Sequence, residues 1–278
     1  MDWWLAPFEL GFQQRALVGG ILAALMASTV GTWLILRGMS FFGDAFVHGV
    51  IPGVAAAVVL DINPLIGAAV AAAVMVVAIE LVQRKTVLGE DTSIGLLFVG
   101  MLALGVIIIS RLDSYSGSLT SILFGDALGV STGDIAGQAI LLGIVLVVSI
   151  VLYRPLVAMS LNRDKAELLG MHPGLAHAAL LVLIALAVIG SYQSVGTLLV
   201  FGLLVGPPAT ASLLSRTIAR MMIIAAIIGV LSVWLGLTLS YYGGIAASAT
   251  MAIIPIVAFF VVLIVQQLLQ SLKALVSK

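Results

Sequence analysis

Cysteine is absent from the 278-residue chain. That absence excludes disulfide staples, CxxC redox chemistry, thiolate zinc sites and a cysteine nucleophile, and it leaves any transition metal to histidine and carboxylate. Charge is nearly as scarce: Asp, Glu, Lys and Arg make up 9% of the residues, against about 25% in soluble domains. Twelve Lys and Arg balance twelve Asp and Glu, so neither a basic surface for nucleic acid nor an acidic tail is present. Enzyme signatures are missing as well. There is no GxxxxGK[ST] for nucleotide phosphates and no HExxH, so no P-loop is available to hydrolyse ATP.

What remains is apolar. Hydrophobic residues form 62% of the chain, and they fall into runs near the length of about 20 residues that a bilayer requires. Nine runs are found, over residues 16–36, 44–60, 64–82, 94–110, 135–153, 174–190, 195–215, 218–240 and 249–269. They predict an all-α polytopic bundle of about nine spans. The first run is too long for a signal-peptide core, and GTWLILRGM lacks a small-residue cleavage site, so it reads as a retained helix. With nine spans, Arg37, Arg84, Lys85, Arg154, Arg163, Lys165, Arg216, Arg220, Lys273 and Lys278 fall on the side of the C-terminus, and only Arg15 and Arg111 on the other. Lys and Arg concentrate in cytoplasmic loops, so the C-terminus is expected in the cytoplasm and the N-terminus outside. The expected organisation is an external interfacial segment, 1–15, anchored by Trp3, Trp4, Phe8 and Phe12; a single transmembrane domain, 16–270; and a cytoplasmic tail, 271–278.

Three connections are more than turns. RGMSFFG, Arg37 to Gly43, is apolar enough to dip into protein. Residues 113–132 contain a short apolar run, Leu119 to Phe124, expected as an external surface or re-entrant helix. Residues 160–173 predict a short cytoplasmic helix: Asn162 caps it, Asp164 favours its positive end, Gly170 terminates it and Pro173 forbids its continuation. GxxxG spacing at Gly49/Gly53 and at Gly202/Gly206 permits close helix approach. No internal repeat is evident.

Few ionisable groups lie within or at the mouth of a span: Asp44, His48, Glu80 and His177. Each must find a partner or water, because a charge at bilayer depth costs about 3 kcal/mol or more. Glu80 is one turn before Arg84 and reads as an i, i+4 ion pair at the cytoplasmic rim; His177 reads as interfacial and His172 as a loop residue. Asp44 and His48, four apart in GDAFVHG, share a helix face. A carboxylate and an imidazole so placed suit one divalent first-row metal, Zn²⁺, Mn²⁺ or Fe²⁺. Two ligands make a weak site; a two-fold dimer would bring four, with water or a hydroxyl such as Ser40 completing the set. On spacing alone, an Asp–His hydrogen bond that merely fastens the helix fits equally well. Gly49, Pro52 and Gly53 favour the site, because interrupted helices with freed carbonyls form substrate sites at mid-membrane.

Three stretches resemble the metal-specific permease family of bacterial ABC transporters, which import zinc, manganese or ferrous iron. RGMSFFGDAFVHGVIPGVAAA, Arg37 to Ala57, matches a Gly-Asp, a His four residues on and a Pro-Gly after it. SVGTLLVFGLLVGPPATASLL, Ser194 to Leu214, is similar to the family's Val-Gly-x-Leu-Leu-Val … Pro-Ala-x-Ala segment. LNRDKAELLGMHPG, Leu161 to Gly174, looks like the cytoplasmic segment that seats in the ATPase. The likeness runs in order over about residues 16–265 and discriminates the family, not the metal. It departs at Pro208, where Ala is usual, and in lacking a His-rich loop.

The resemblance implies the type II importer fold: a homodimeric permease, a cytoplasmic ABC ATPase dimer holding the ATP, and an extracytoplasmic metal-binding protein. It implies that Asp44 and His48 coordinate the transported divalent metal. Arg163, Asp164, Lys165, Glu167, Leu168 and Gly170 would couple to the ATPase, and Gly202, Gly206, Pro207 and Pro208 would form a pathway helix. No resident cofactor and no enzymatic activity are implied, and the setting would be the bacterial cytoplasmic membrane. Rival readings are a siderophore or cobalamin permease of the same fold, a proton-coupled carrier using Asp44 and Glu80, and an intramembrane metalloenzyme.

Overall fold

The computed structural model describes residue 4 and residues 6–86, 90–110 and 129–276, and gives the backbone alone at residues 83–84, 90–91, 163–164, 192–198 and 273–276. A 3₁₀ turn, Ala6–Glu9, leads into α1 (Gly11–Leu36), α2 (Ser40–Gly49), α3 (Ile51–Val59), α4 (Pro64–Lys85), α5 (Glu90–Ile109), α6 (Thr132–Val151), α7 (Tyr153–Leu161), α8 (Arg163–Leu168), α9 (Pro173–Leu214), α10 (Ile218–Gly243) and α11 (Ala247–Val276). No strand occurs among the described residues. Lipid offers no partner for a free N–H or C=O, so a spanning chain must satisfy its backbone within helices. The same rule holds for polar side chains: Thr32 bonds the Ser28 carbonyl, Thr210 that of Gly206 and Thr238 that of Trp234.

Eight helical segments among the described residues are long and apolar enough to cross a membrane, α2 and α3 together counting as one over Ser40–Val59, and Leu199–Leu214 adds a shorter apolar one. The outer surface is apolar too. On α4, Val70, Val74, Val77 and Leu81 form an exposed stripe, and on α11 Ile253, Val257, Phe260, Val261 and Ile264 form another. Faces of this kind are stable against lipid and unfavourable in water.

α1 is the central helix. Its small residues, among them Gly20, Ala23, Ala24, Ala27 and Gly31, are buried, and each lets a neighbour come close. A Cβ at Gly20 would stand 2.6 Å from Val233 of α10, and one at Gly31 would strike the Leu204 carbonyl of α9. Gly53 of α3 and Gly67 of α4 face each other's carbonyls in the same way.

The expected sixth and seventh spans form one helical run of 42 residues in α9. A straight helix of that length would extend about 63 Å. It bends back instead: His177 meets Arg37 at the end of α1, Gly190 meets Met26, and Leu204 returns to Gly31. From Gly202 onward α9 follows α11, with Gly202 on Ala252, Gly206 on Pro255 and the Leu213 carbonyl bonded to Gln266. Both arms are therefore present, joined without a loop.

The second span starts at Ser40, not 44, and is broken in two. Pro52 has no N–H to give the His48 carbonyl, and its ring crowds that carbonyl, so α2 stops at Gly49 and α3 begins at Ile51. The RGMSFFG connection shrinks to a turn at Arg37, Gly38 and Met39, and Met39 and Phe42 are buried as the dip into protein requires. Of the segment 113–132, expected to hold an external helix, positions 113–128 with the apolar run 119–124 lie outside the described residues, and Thr132 opens α6. α11 runs on to Val276, through most of the segment read as a tail.

Candidate metal-transport site

Asp44 and His48 occupy successive turns of α2, and Pro52 leaves His48 in its last turn, where the helix dipole favours positive charge. His48 Nε2 lies 3.4 Å from Asp44 Oδ1, and the two side chains are 27% and 29% exposed. Both face a cavity of about 600 Å³. Phe201 and Gly202 of α9 form one wall, and Ile245, Ala246 and the first turns of α11 form the other, including Thr250, Ile253 and Ile256. Gly202 makes this wall possible: a Cβ there would stand 3.1 Å from that of Ala252. The cavity is apolar except at Asp44, His48 and the Thr250 hydroxyl, which itself donates to the Ala246 carbonyl.

The imidazole ring packs beside Phe98 of α5, their centroids 6.1 Å apart. Its Nδ1 is buried and has no hydrogen-bond partner among the described residues. A metal-ligating histidine ordinarily donates its second N–H to a carboxylate or carbonyl, which orients the ring and raises its basicity. His48 lacks that support. The described residues also contain no cluster of three or more His, Asp or Glu side chains suited to a metal. One copy of the chain thus offers two ligands in a roomy apolar cavity.

The expected pathway residues divide. Gly202 lines the cavity, whereas Gly206 packs on Pro255 and Pro208 on Gly31, so these serve helix contact. Ser40 is not among the lining residues. Thr250 and Phe98 escaped sequence reasoning, which followed charge; a hydroxyl near the start of an otherwise apolar run was the available sign of Thr250.

The residues of 160–173 gather away from this cavity. Asn162 Oδ1 accepts the Lys165 N–H at 2.9 Å, capping α8. Gly170 adopts φ +71°, with Gly170 N–H bonded to the Glu167 carbonyl and Met171 N–H to that of Ala166, the Schellman arrangement. Ala166 is buried, while Lys165, Glu167, Leu168 and Gly170 are exposed, Leu168 at 87%. The side chains of Arg163 and Asp164 lie outside the described residues, as does that of Arg84, expected to pair with Glu80. His172 is exposed at the N-cap of α9, as its place in a loop suggested. His177, expected at the interface, is buried in protein beside the end of α1: it is 4% exposed, and its Nδ1 meets Arg37 Nη1 at 2.7 Å. The guanidinium supplies the partner that lets a polar ring be buried at a helix start.

The model of the ABC 3 transport family matches residues 9–266. The chain is 38% identical over 258 residues to the manganese import system permease protein ScaB of Streptococcus parasanguinis, covering 91% of each. It is 34% identical over 253 residues to the manganese transport system membrane protein MntC of Listeria monocytogenes, covering 91% of this chain and 90% of that one. It is 32% identical to the chelated iron transport system membrane protein YfeD of Yersinia pestis over 258 residues, 93% of this chain and 86% of the relative. In three dimensions it is similar to PsaBC from Streptococcus pneumoniae in complex with Fab, with a TM-score of 0.81, 32% identity and 91% of each chain covered. The chain belongs to the ABC 3 transport family, as a multi-pass membrane transport subunit and not an enzyme.

Proposed function

We propose that the chain is the permease of an importer that moves a divalent first-row metal, Mn²⁺ before Zn²⁺ or Fe²⁺, into the cytoplasm by alternating access. The observation that carries this reading is the Asp44/His48 pair, one hard oxygen and one imidazole nitrogen facing a cavity of about 600 Å³. Relatives named for manganese transport and manganese import favour that metal. Two ligands per chain call for a second copy across a two-fold axis, giving two carboxylates and two imidazoles, with water in the remaining positions. The unsupported Nδ1 of His48 fits a transit role, because a site that must release its ion gains from weak ligands.

ATP would be hydrolysed by a separate cytoplasmic ATPase dimer bearing on α8, where Leu168 and the flanking Leu161 and Leu169 are at least 70% exposed. An extracytoplasmic binding protein would deliver the ion at the opposite face. The ten-to-two distribution of Lys and Arg supports a cytoplasmic C-terminus in a bacterial plasma membrane. Uptake of ⁵⁴Mn²⁺ by cells whose only importer contains this chain tests the reading. Asp44→Ala and His48→Ala should each abolish ATP-dependent uptake while the protein persists in the membrane at normal level. Normal uptake by both variants refutes the assignment; uptake of chelates with indifference to free metal supports the siderophore or cobalamin rival, and accumulation in liposomes without an ATPase supports the proton-coupled one.

A further inference from the structure

Arg37 and His177 stand 140 residues apart in sequence and meet at 2.7 Å, Arg37 Nη1 to His177 Nδ1. A guanidinium only donates, so Nδ1 accepts, and this imidazole is neutral with its proton on Nε2. The ring is 4% exposed and the guanidinium half-buried. A hydrogen bond from a charged donor in such a setting is stronger and more directional than a neutral one.

The chain on either side of this bond has no slack. α1 ends at Arg37 in a Schellman turn: Gly38, at φ +67°, gives its N–H to the Ile35 carbonyl, and Met39 gives its own to that of Leu34. Ser40 then opens α2, and Asp44 is one turn on. On the other side α8 closes at Gly170 in the same arrangement, and only Met171 and His172 separate that turn from Pro173, which opens α9. His177 lies in the second turn of that helix. A route from α8 to Asp44 therefore runs through two rigid helix ends, two tight turns and one side-chain bond, without a flexible loop.

We infer that the Arg37–His177 hydrogen bond is the link by which displacement of α8 reaches α2, which makes both side chains positioning residues for metal translocation. The inference rests on the proposed reading of α8 as the ATPase contact and of Asp44/His48 as the transit site. Neither Arg37 nor His177 lines the cavity, so their effect on transport is exerted through α2.

The test uses the whole transporter in proteoliposomes: the chain purified with the ATPase that assembles with it, supplied with its binding protein, with ⁵⁴Mn²⁺ taken up and ATP hydrolysed measured together. Wild-type uptake must depend on ATP; if it does not, the functional reading fails, whatever the link does. Given that uptake, Arg37→Ala and His177→Ala should lower the metal carried per ATP by about fivefold or more, the size of an ordinary coupling free energy, while hydrolysis continues. His177→Asn, which offers an amide oxygen near the place of Nδ1, should recover most of the ratio. Arg37→Lys, keeping the charge without the fork, should fall between and reports on the link even if alanine prevents assembly. An unchanged ratio in the substituted transporters overturns the inference, as does a loss of uptake in proportion to hydrolysis, which marks a merely structural bond.

Discussion

Around Asp44 the walls are small or apolar residues on helices that nearly touch, and the polar groups are three; around α8 the described residues other than the buried Ala166 are polar or exposed, and the helix is held by its own caps. The cavity owes its shape to long-range packing, with Gly202 admitting Ala252, and Pro52 stops α2 beside His48. α8 owes its shape to contacts between neighbours in sequence, Asn162 at one end and Gly170 at the other. The first arrangement suits a site that must keep its geometry while an ion passes. The second suits an element that must present a stiff surface to another protein, since six residues of helix have little stability of their own.

Damage to one region should leave the other's property intact, and the most severe test of that separation is at the exposed surface. Leu168→Asp, at a position 87% exposed, should reduce co-purification of the ATPase more than tenfold, equivalent to about 1.4 kcal/mol or more of lost binding. Mn²⁺ binding by the permease should remain. Pull-down and equilibrium dialysis on one preparation check both halves, and loss of both together would break the comparison.

Next in size is the packing of α3, the helix that follows His48, against α4. Gly53→Val would drive a side chain into the Gly67 carbonyl, where overpacking costs about 1–3 kcal/mol and backbone offers no room to yield. The detergent-solubilised protein should melt several degrees lower, and Mn²⁺ binding should weaken with it. A thermal scan showing wild-type stability would mean that α3 and α4 do not cross this closely. Smallest is the local cap: Asn162→Ala should cost about 1 kcal/mol of α8 stability, visible as faster amide exchange over residues 165–169, with the cavity's exchange unchanged.

The same division explains what was legible in the sequence. α8 could be read residue by residue because Asn162, Gly170 and Pro173 act on their neighbours. The apolar runs were legible because lipid imposes length and hydrophobicity on every span, and Asp44 and His48 stood out because so few charges lie within them. The fold-back of α9, the burial of His177 against Arg37 and the presence of Thr250 in the cavity were not. Each depends on residues distant in sequence, and a hydroxyl or a glycine carries no local sign of which helix it will meet. Pro52 lies between these cases: it signalled an interruption, but the cavity beside that break is made by α9 and α11.

The central claim is that the metal rests on Asp44 and His48. Electron–nuclear double resonance on Mn²⁺ bound to the purified transporter addresses it directly, because a coordinated imidazole imprints ¹⁴N hyperfine coupling on the manganese. The account predicts nitrogen coupling in the wild type that disappears in His48→Ala. Manganese bound without nitrogen coupling, or with coupling unchanged in His48→Ala, would contradict it.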